Sequence, residues 1–142
     1  MPYALRDLLA GRELAAVPPT LTVRAACFLL DEHDIGALAV LEGGRLVGIL
    51  SERDVIRRCI CRGRRTDETR VADVMTPEPV TVEVERSVAT ALDLMRTGGF
   101  RHLPVTERGT VVGMLSMRDI PTDNRVMLER WRAYRDARPT PA

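Results

Sequence analysis

With 142 residues, 45% of them apolar, the chain is long enough to bury a sizeable core and too hydrophobic to be a disordered segment. Its net charge of +1 provides no global field toward nucleic acid or a membrane surface. All 21 basic residues are arginine, which excludes Schiff-base chemistry, a lysine nucleophile and a phosphate-loop lysine.

From the N-terminus, Leu5, Leu8 and Leu9 stand at helical spacing, and Gly11 is a plausible stop for that short helix. Pro18-Pro19 forces an extended connection. Thr22 then predicts the N-cap of a helix with Val23, Ala26, Cys27 and Leu30 on its buried face, exiting at Asp34. Ile35–Leu41 and Leu46–Leu50 are apolar runs of strand length around Glu42-Gly43-Gly44-Arg45, which predicts a β-hairpin. Ser51 is placed to start a helix running through Asp54 to about Cys61. Residues 62–79 are long for a connection, so part of them should be structured, and Val71–Met75 reads as a short helix.

The same order then returns. Ser87 caps a helix burying Val88, Ala91, Leu92 and Met95, and Gly98-Gly99 ends it. Phe100–Val105 and Val111–Leu115 form a second hairpin, turning through Arg108-Gly109. Pro121 stands where the first copy continues its helix, and proline there removes an intrahelical hydrogen bond. A new helix is predicted from near Asp123 to about Ala137, carrying Met127, Trp131 and Tyr134 on one face; either the chain's own core or a second subunit would cover that face.

The recurrence is a repeat. Gly48-Ile49-Leu50-Ser51-Glu52-Arg53-Asp54 and Gly113-Met114-Leu115-Ser116-Met117-Arg118-Asp119 stand 65 residues apart (113 − 48). At that offset Val17–Asp54 aligns with Val82–Asp119 without a gap, and 14 of the 38 positions are identical. One structural unit is therefore used twice. Two copies are too few for a solenoid and predict a closed pair about a pseudo-twofold axis.

Two copies of Gly-h-h-Ser-x-x-Asp (h apolar), each after a β-hairpin, resemble the tandem CBS domain, named after cystathionine β-synthase. Arg101-His102-Leu103-Pro104-Val105 looks like the second strand of that domain, and Val71-Ala72-Asp73-Val74-Met75-Thr76 like the lead-in to its second repeat. The resemblance covers roughly residues 4–120 and implies an α+β fold of two β-α-β-β-α repeats. The corresponding division is 1–66 for the first repeat with its N-terminal helix, 67–121 for the second, and 122–142 for a C-terminal helix and tail. No catalytic domain remains once the pair is subtracted, so the expectation is a stand-alone, non-enzymatic CBS-pair protein.

Ser51/Asp54 and Ser116/Asp119 lie three residues apart at a helix start, which leaves two readings open. One is a capping box, with Ser capping the helix and the acid answering back. The other comes from the resemblance, which implies adenosine-nucleotide binding: Asp54 and Asp119 would hold ribose, with Ser51, Arg53, Ser116 and Arg118 near phosphate. A carboxylate can accept both hydroxyls of a cis-diol, and a helix start suits an anion. By the same resemblance Arg101 and His102 would reach phosphates near the axis. Main-chain groups around Thr81, Val82, Leu103 and Pro104 would clasp adenine, with Val17, Ala37 and Leu38 as first-copy counterparts. The first copy has Gly36-Ala37 in place of Arg101-His102, which favours the second cleft as the better site unless Arg101 and His102 serve both clefts.

The implied ligand is AMP, ADP or ATP, with NAD or S-adenosylmethionine as further adenosyl candidates and no catalytic cofactor. The implied assembly is a homodimer that signals to an unknown protein partner. A ligand-free scaffold, with Ser-x-x-Asp serving only as caps, is the alternative. Arg57, Arg58, Arg62, Arg64, Arg65 and Arg70 read first as a solvated helix end and linker and next as a source of one or two phosphate-facing groups; nucleic-acid binding through them ranks last, because no aromatics interleave with them. Cys59-x-Cys61 lacks the second ligand pair that a zinc site needs. Three cysteines, no apolar run of the ~20 residues that span a bilayer and no signal-peptide pattern point to the cytoplasm.

Overall fold

The computed structural model describes residues 4–121 together with Arg130 and Ala133. The predicted C-terminal helix face of Met127, Trp131 and Tyr134 lies outside the described residues. In chain order the elements are α1 (Leu5–Leu9), β1 (Ala16–Val17), α2 (Val23–His33), β2 (Ala37–Glu42), β3 (Arg45–Ser51) and α3 (Glu52–Asp54). α3 continues as a π turn (Val55–Cys59) and a 3-10 turn (Ile60–Arg62). Then follow α4 (Val71–Val74), β4 (Thr76–Pro77), β5 (Val82–Glu83), α5 (Val88–Gly98), β6 (His102–Glu107) and β7 (Thr110–Ser116). A 3-10 turn (Met117–Asp119) closes the series, and Ile120 beyond it is extended. The second copy thus stops one turn after Ser116, just ahead of Pro121.

Local chemistry sets these boundaries. The hydroxyls of Thr22 and Ser87 accept the amides of Ala25 (3.2 Å) and Thr90 (3.1 Å), capping α2 and α5. Both helices end through a left-handed residue, Asp34 or Gly99. Beyond it, the amides of Ile35 and Phe100 each reach back to the carbonyl five residues earlier, at 3.0 Å. This is a Schellman closure. It draws Ile35 and Phe100 into the helix exits and delays the strands expected there to Ala37 and His102. Both hairpins turn through paired positive-φ residues, Gly43-Gly44 (58° and 79°) and Arg108-Gly109 (53° and 79°).

The strands form two sheets, ordered β1-β2-β3-β4 and β5-β6-β7. In each, the short first strand is parallel to the second and the hairpin is antiparallel. The repeat extends to register: Ala37 faces Ser51 as His102 faces Ser116, and both hairpins slip at the same place, Val40/Leu41 and Val105/Thr106. Each sheet packs against its helix to make a separate core.

The lead-in helices are exchanged between those cores. Leu5 of α1 is fully buried among Val88, Leu92, Met95 and Leu115, in the second copy. Val71 and Val74 of α4 are fully buried among Val23, Val40 and Leu50, in the first. The first copy, expected to carry its own N-terminal helix, instead packs the helix that precedes the second. Arg6 extends the crossing by pairing with Glu85 (2.5 Å) and Glu107 (3.2 Å).

Three of the six linker arginines donate to backbone carbonyls. Arg58 donates to the Met75 carbonyl at 2.8 Å, Arg64 to that of Asp73 at 3.4 Å, and Arg70 to that of Thr20. Arg65 pairs with Asp67 at 2.9 Å. All six arginines of the stretch remain exposed, and these bonds tie four of them to groups of the protein itself. Cys59 is buried with its thiol on the Arg64 carbonyl, whereas Cys61 is exposed, so the pair shares no site. Among the described residues, no helix is long and apolar enough to cross a membrane.

Candidate functional site

Two clefts lie where the copies meet, and each takes residues from both. The first, about 650 Å³, holds Ser51, Arg53 and Asp54 of the repeated motif, facing Phe100, Arg101 and His102 of the second copy. The linker residues Thr76, Glu78, Pro79 and Val80 close it. The second, about 570 Å³, holds Ser116, Arg118 and Asp119, facing Ile35, Gly36 and Ala37 of the first copy. Arg12, Glu13 and Ala15 of the N-terminal segment close that one.

This pairing across the axis corrects the expectation that Arg101 serves the Asp119 cleft. Arg101 lines the Asp54 cleft, although its carbonyl accepts the Met117 amide of the second motif at 2.8 Å. The argument from basic residues therefore favours the first cleft. His102 borders both. The glycine at position 36 is what makes room for it: a Cβ there would sit 2.9 Å from His102 Nε2 and 2.9 Å from Glu52 Oε1. Gly36 is thus the small residue of one copy that complements the His102 ring of the other.

Both carboxylates are held at the starts of their turns. Asp54, 8% exposed, accepts the Ser51 amide at 3.0 Å while Ser51 Oγ accepts the Asp54 amide at 3.2 Å, a complete capping box. The Thr76 hydroxyl adds a bond to Asp54 Oδ1 at 3.1 Å, and Arg58 Nε stands 3.8 Å away. Asp119 accepts the Ser116 amide at 2.7 Å and pairs with Arg12 Nη1 at 2.6 Å. A carboxylate offers about four lone-pair sites, so capping and ligand binding are compatible at Asp54.

The remaining expected residues divide. Arg53 and Arg101 are exposed in the first cleft. Arg118 instead donates to the Asp34 carbonyl at 2.8 Å, closing the end of α2 across the axis. Ala37 lines the second cleft and is buried. Val17, Leu38, Val82 and Leu103 send their side chains into the cores. Pro104 is buried and Thr81 exposed. Burial holds the His102 imidazole below its ordinary pKa; Glu52 opposes this, Arg118 adds to it, Asp119 opposes it and Arg101 adds to it.

Sequence reasoning does not single out Val80 or Phe100 for the first cleft, nor Arg12 for the second, and offers Arg57 only as one of six arginines of which one or two could face phosphate. Val80 is 48% exposed, an apolar residue open to the cleft it lines. Arg57 follows Asp54 by three residues on the same helical segment, a spacing that puts both on one face.

The CBS domain family model matches the chain twice, at residues 5–60 and 71–120. The chain is 37% identical over 122 residues to the mitochondrial CBS domain-containing protein CBSX3 of Arabidopsis thaliana, covering 80% of this chain and 59% of that protein. It is 33% identical over 108 residues to the CBS domain-containing protein YhcV of Bacillus subtilis, covering 76% of each. Among solved structures, the CBS domain protein PAE2072 of Pyrobaculum aerophilum, complexed with AMP, superposes with a TM-score of 0.79 at 26% identity, covering 89% of this chain and 97% of that one. The matched repeats, the paired sheets and the crossed clefts agree: the chain belongs to the CBS-domain family and carries two copies of the domain.

Proposed function

We propose that the protein is a regulatory sensor module that binds an adenosine nucleotide, foremost AMP, ADP or ATP, in the Asp54 cleft. The composition of that cleft carries the reading. A carboxylate able to accept ribose hydroxyls shares about 650 Å³ with Arg53, Arg57 and Arg101, enough cationic groups for a phosphate chain, and with the His102 imidazole as a further polar group. Ile49, Pro79, Val80 and Phe100 supply an apolar wall for a purine. The AMP complex of PAE2072 supports the ligand class. NAD and S-adenosylmethionine share the adenosyl part and stand as further candidates. The role is regulatory rather than catalytic: ligand binding would shift a surface offered to a protein partner by as much as the affinities of the two states differ.

A homodimer fits the same reading. Phe28 on α2 is 62% exposed, and Ile56 and Ile60 on the segment after α3 are 52% and 58% exposed, apolar area of the kind a second subunit covers.

The test is a thermal-shift and calorimetry panel of AMP, ADP, ATP, NAD and S-adenosylmethionine. A ligand at 100 times its dissociation constant should stabilise the fold by about 2.7 kcal/mol. Arg101 is exposed, so Arg101→Ala should leave the free protein intact. It should weaken phosphate-bearing ligands about tenfold or more, ~1.4 kcal/mol, from the loss of a charge-assisted bond worth roughly 1.5–3 kcal/mol. Adenosine itself should be nearly unaffected. The complete capping box at Ser51 and Asp54 favours a scaffold as the second reading. No melting shift with any ligand near millimolar concentration would establish it instead.

A further inference from the structure

We infer that Arg12 is a built-in latch that closes the Asp119 cleft, so that the two clefts are unequal and the ligand-free protein offers one site per chain. This rests on the nucleotide reading above.

The observation is a break in the repeat. Leu9 packs on Gly113, where a Cβ would stand 2.9 Å from Leu9 Cδ1; Met75 packs on Gly48 in the same way, with its sulfur 2.5 Å from the corresponding point. Those contacts relate Leu9 to Met75 at a step of 66 (75 − 9), whereas Gly48 and Gly113 are related at 65 (113 − 48). The lead-in to the first copy therefore holds one residue more than the lead-in to the second. After Met75 the chain runs straight into β4, which pairs with β3 and sets the Thr76 hydroxyl on Asp54. After Leu9 the chain turns, with Gly11 at φ 75° and the Arg12 amide on the Leu9 carbonyl at 3.1 Å. No fourth strand joins the second sheet among the described residues. In its place the Arg12 guanidinium reaches Asp119 Oδ1 at 2.6 Å.

The latch has a fixed lever. Leu5 anchors α1 in the second core, and Arg6 ties the helix to Glu85 and Glu107, so Arg12 is delivered to the cleft mouth by a packed element. Asp119 is only 12% exposed at its side chain, so the pair is partly shielded from water on the carboxylate side. A ribose seeking Asp119 must compete with a cation tethered at the cleft mouth. Its apparent affinity falls by the fraction of time the latch is open. Asp54 meets a neutral donor in that place, the Thr76 hydroxyl at 3.1 Å, and its nearest cation, Arg58, stands 3.8 Å away and is committed to the Met75 carbonyl.

The experiment is calorimetric titration of ATP and of AMP into wild type, Arg12→Ala and Arg12→Gln, the last keeping part of the aliphatic stem. At ligand concentrations that fill the Asp54 cleft, the wild type should take up one equivalent per chain and both variants two. The added equivalent should vanish in Arg12→Ala combined with Asp119→Asn. Two equivalents in the wild type, or a single one in folded Arg12 variants, overturns the latch while leaving the sensor reading intact. Weaker binding in Arg12→Ala also overturns it, making Arg12 a ligand contact. No binding by any of the proteins overturns the sensor reading, and the latch with it.

Discussion

Leu5→Ala tests the exchange of lead-in helices, on which the placement of both clefts depends. Leu5 has no solvent exposure and sits among Val88, Leu92, Met95 and Leu115, beyond the chain's midpoint. Truncating a fully buried leucine costs about 3 kcal/mol, the lost transfer energy plus the cavity left behind. For a chain of this size that corresponds to a melting point lower by roughly 6–12 °C. The magnitude alone does not locate the damage, but native-state hydrogen exchange does. In Leu5→Ala, the amides of α5, β6 and β7 should open first, although Leu5 lies closest in sequence to α2. Val71→Ala should do the reverse at a smaller cost, roughly 2 kcal/mol for two buried carbons and their cavity, exposing α2, β2 and β3. If Leu5→Ala instead strips protection from α2 and β2, each copy packs its own lead-in and the crossed clefts are wrong.

Three further outcomes are expected. Burial keeps His102 neutral, so the unfolded chain takes its proton more readily than the folded one. The stability this contributes is therefore present above the ordinary imidazole pKa and is lost as pH falls below it; urea melts between about pH 7 and pH 5 should show that loss, and His102→Gln should flatten it. Arg108 occupies a left-handed turn position at φ 53° where the other hairpin has glycine, so Arg108→Asn should raise stability by about 0.5–1 kcal/mol in thermal melts without altering ligand binding. Light scattering should return a dimer that Ile56→Glu with Ile60→Glu dissociates; a wild-type mass of one 15.8 kDa chain at micromolar concentration would refute the homodimer.

What was legible in the sequence was whatever depends on neighbours along the chain. Thr22 and Ser87 cap because a hydroxyl there meets an amide three residues on. The hairpins turn where Gly43-Gly44 and Arg108-Gly109 allow positive φ. The offset of 65 residues carries over to strand register and even to the paired slips at Val40/Leu41 and Val105/Thr106. The pattern was read slightly too far at Ile35 and Phe100, where an apolar residue closes a helix instead of starting a strand.

What was not legible depends on the approach of the two copies across the axis. A repeat states what each copy contains but not which copy faces which motif. Sequence proximity therefore assigns Arg101 to Asp119, whereas it lines the cleft of Asp54. The missing information was nonetheless written in the differences between the copies. Where the copies approach across the axis, a bulky side chain of one needs a small residue of the other opposite it, so a close approach favours differences between the copies. Gly36 opposite His102 is one such inequality. The extra residue before β1, which turns the chain at Gly11 and brings Arg12 to Asp119, is another. In a duplicated fold the matching positions hold the architecture, and the mismatched ones at the axis decide which of two similar clefts is open to a ligand.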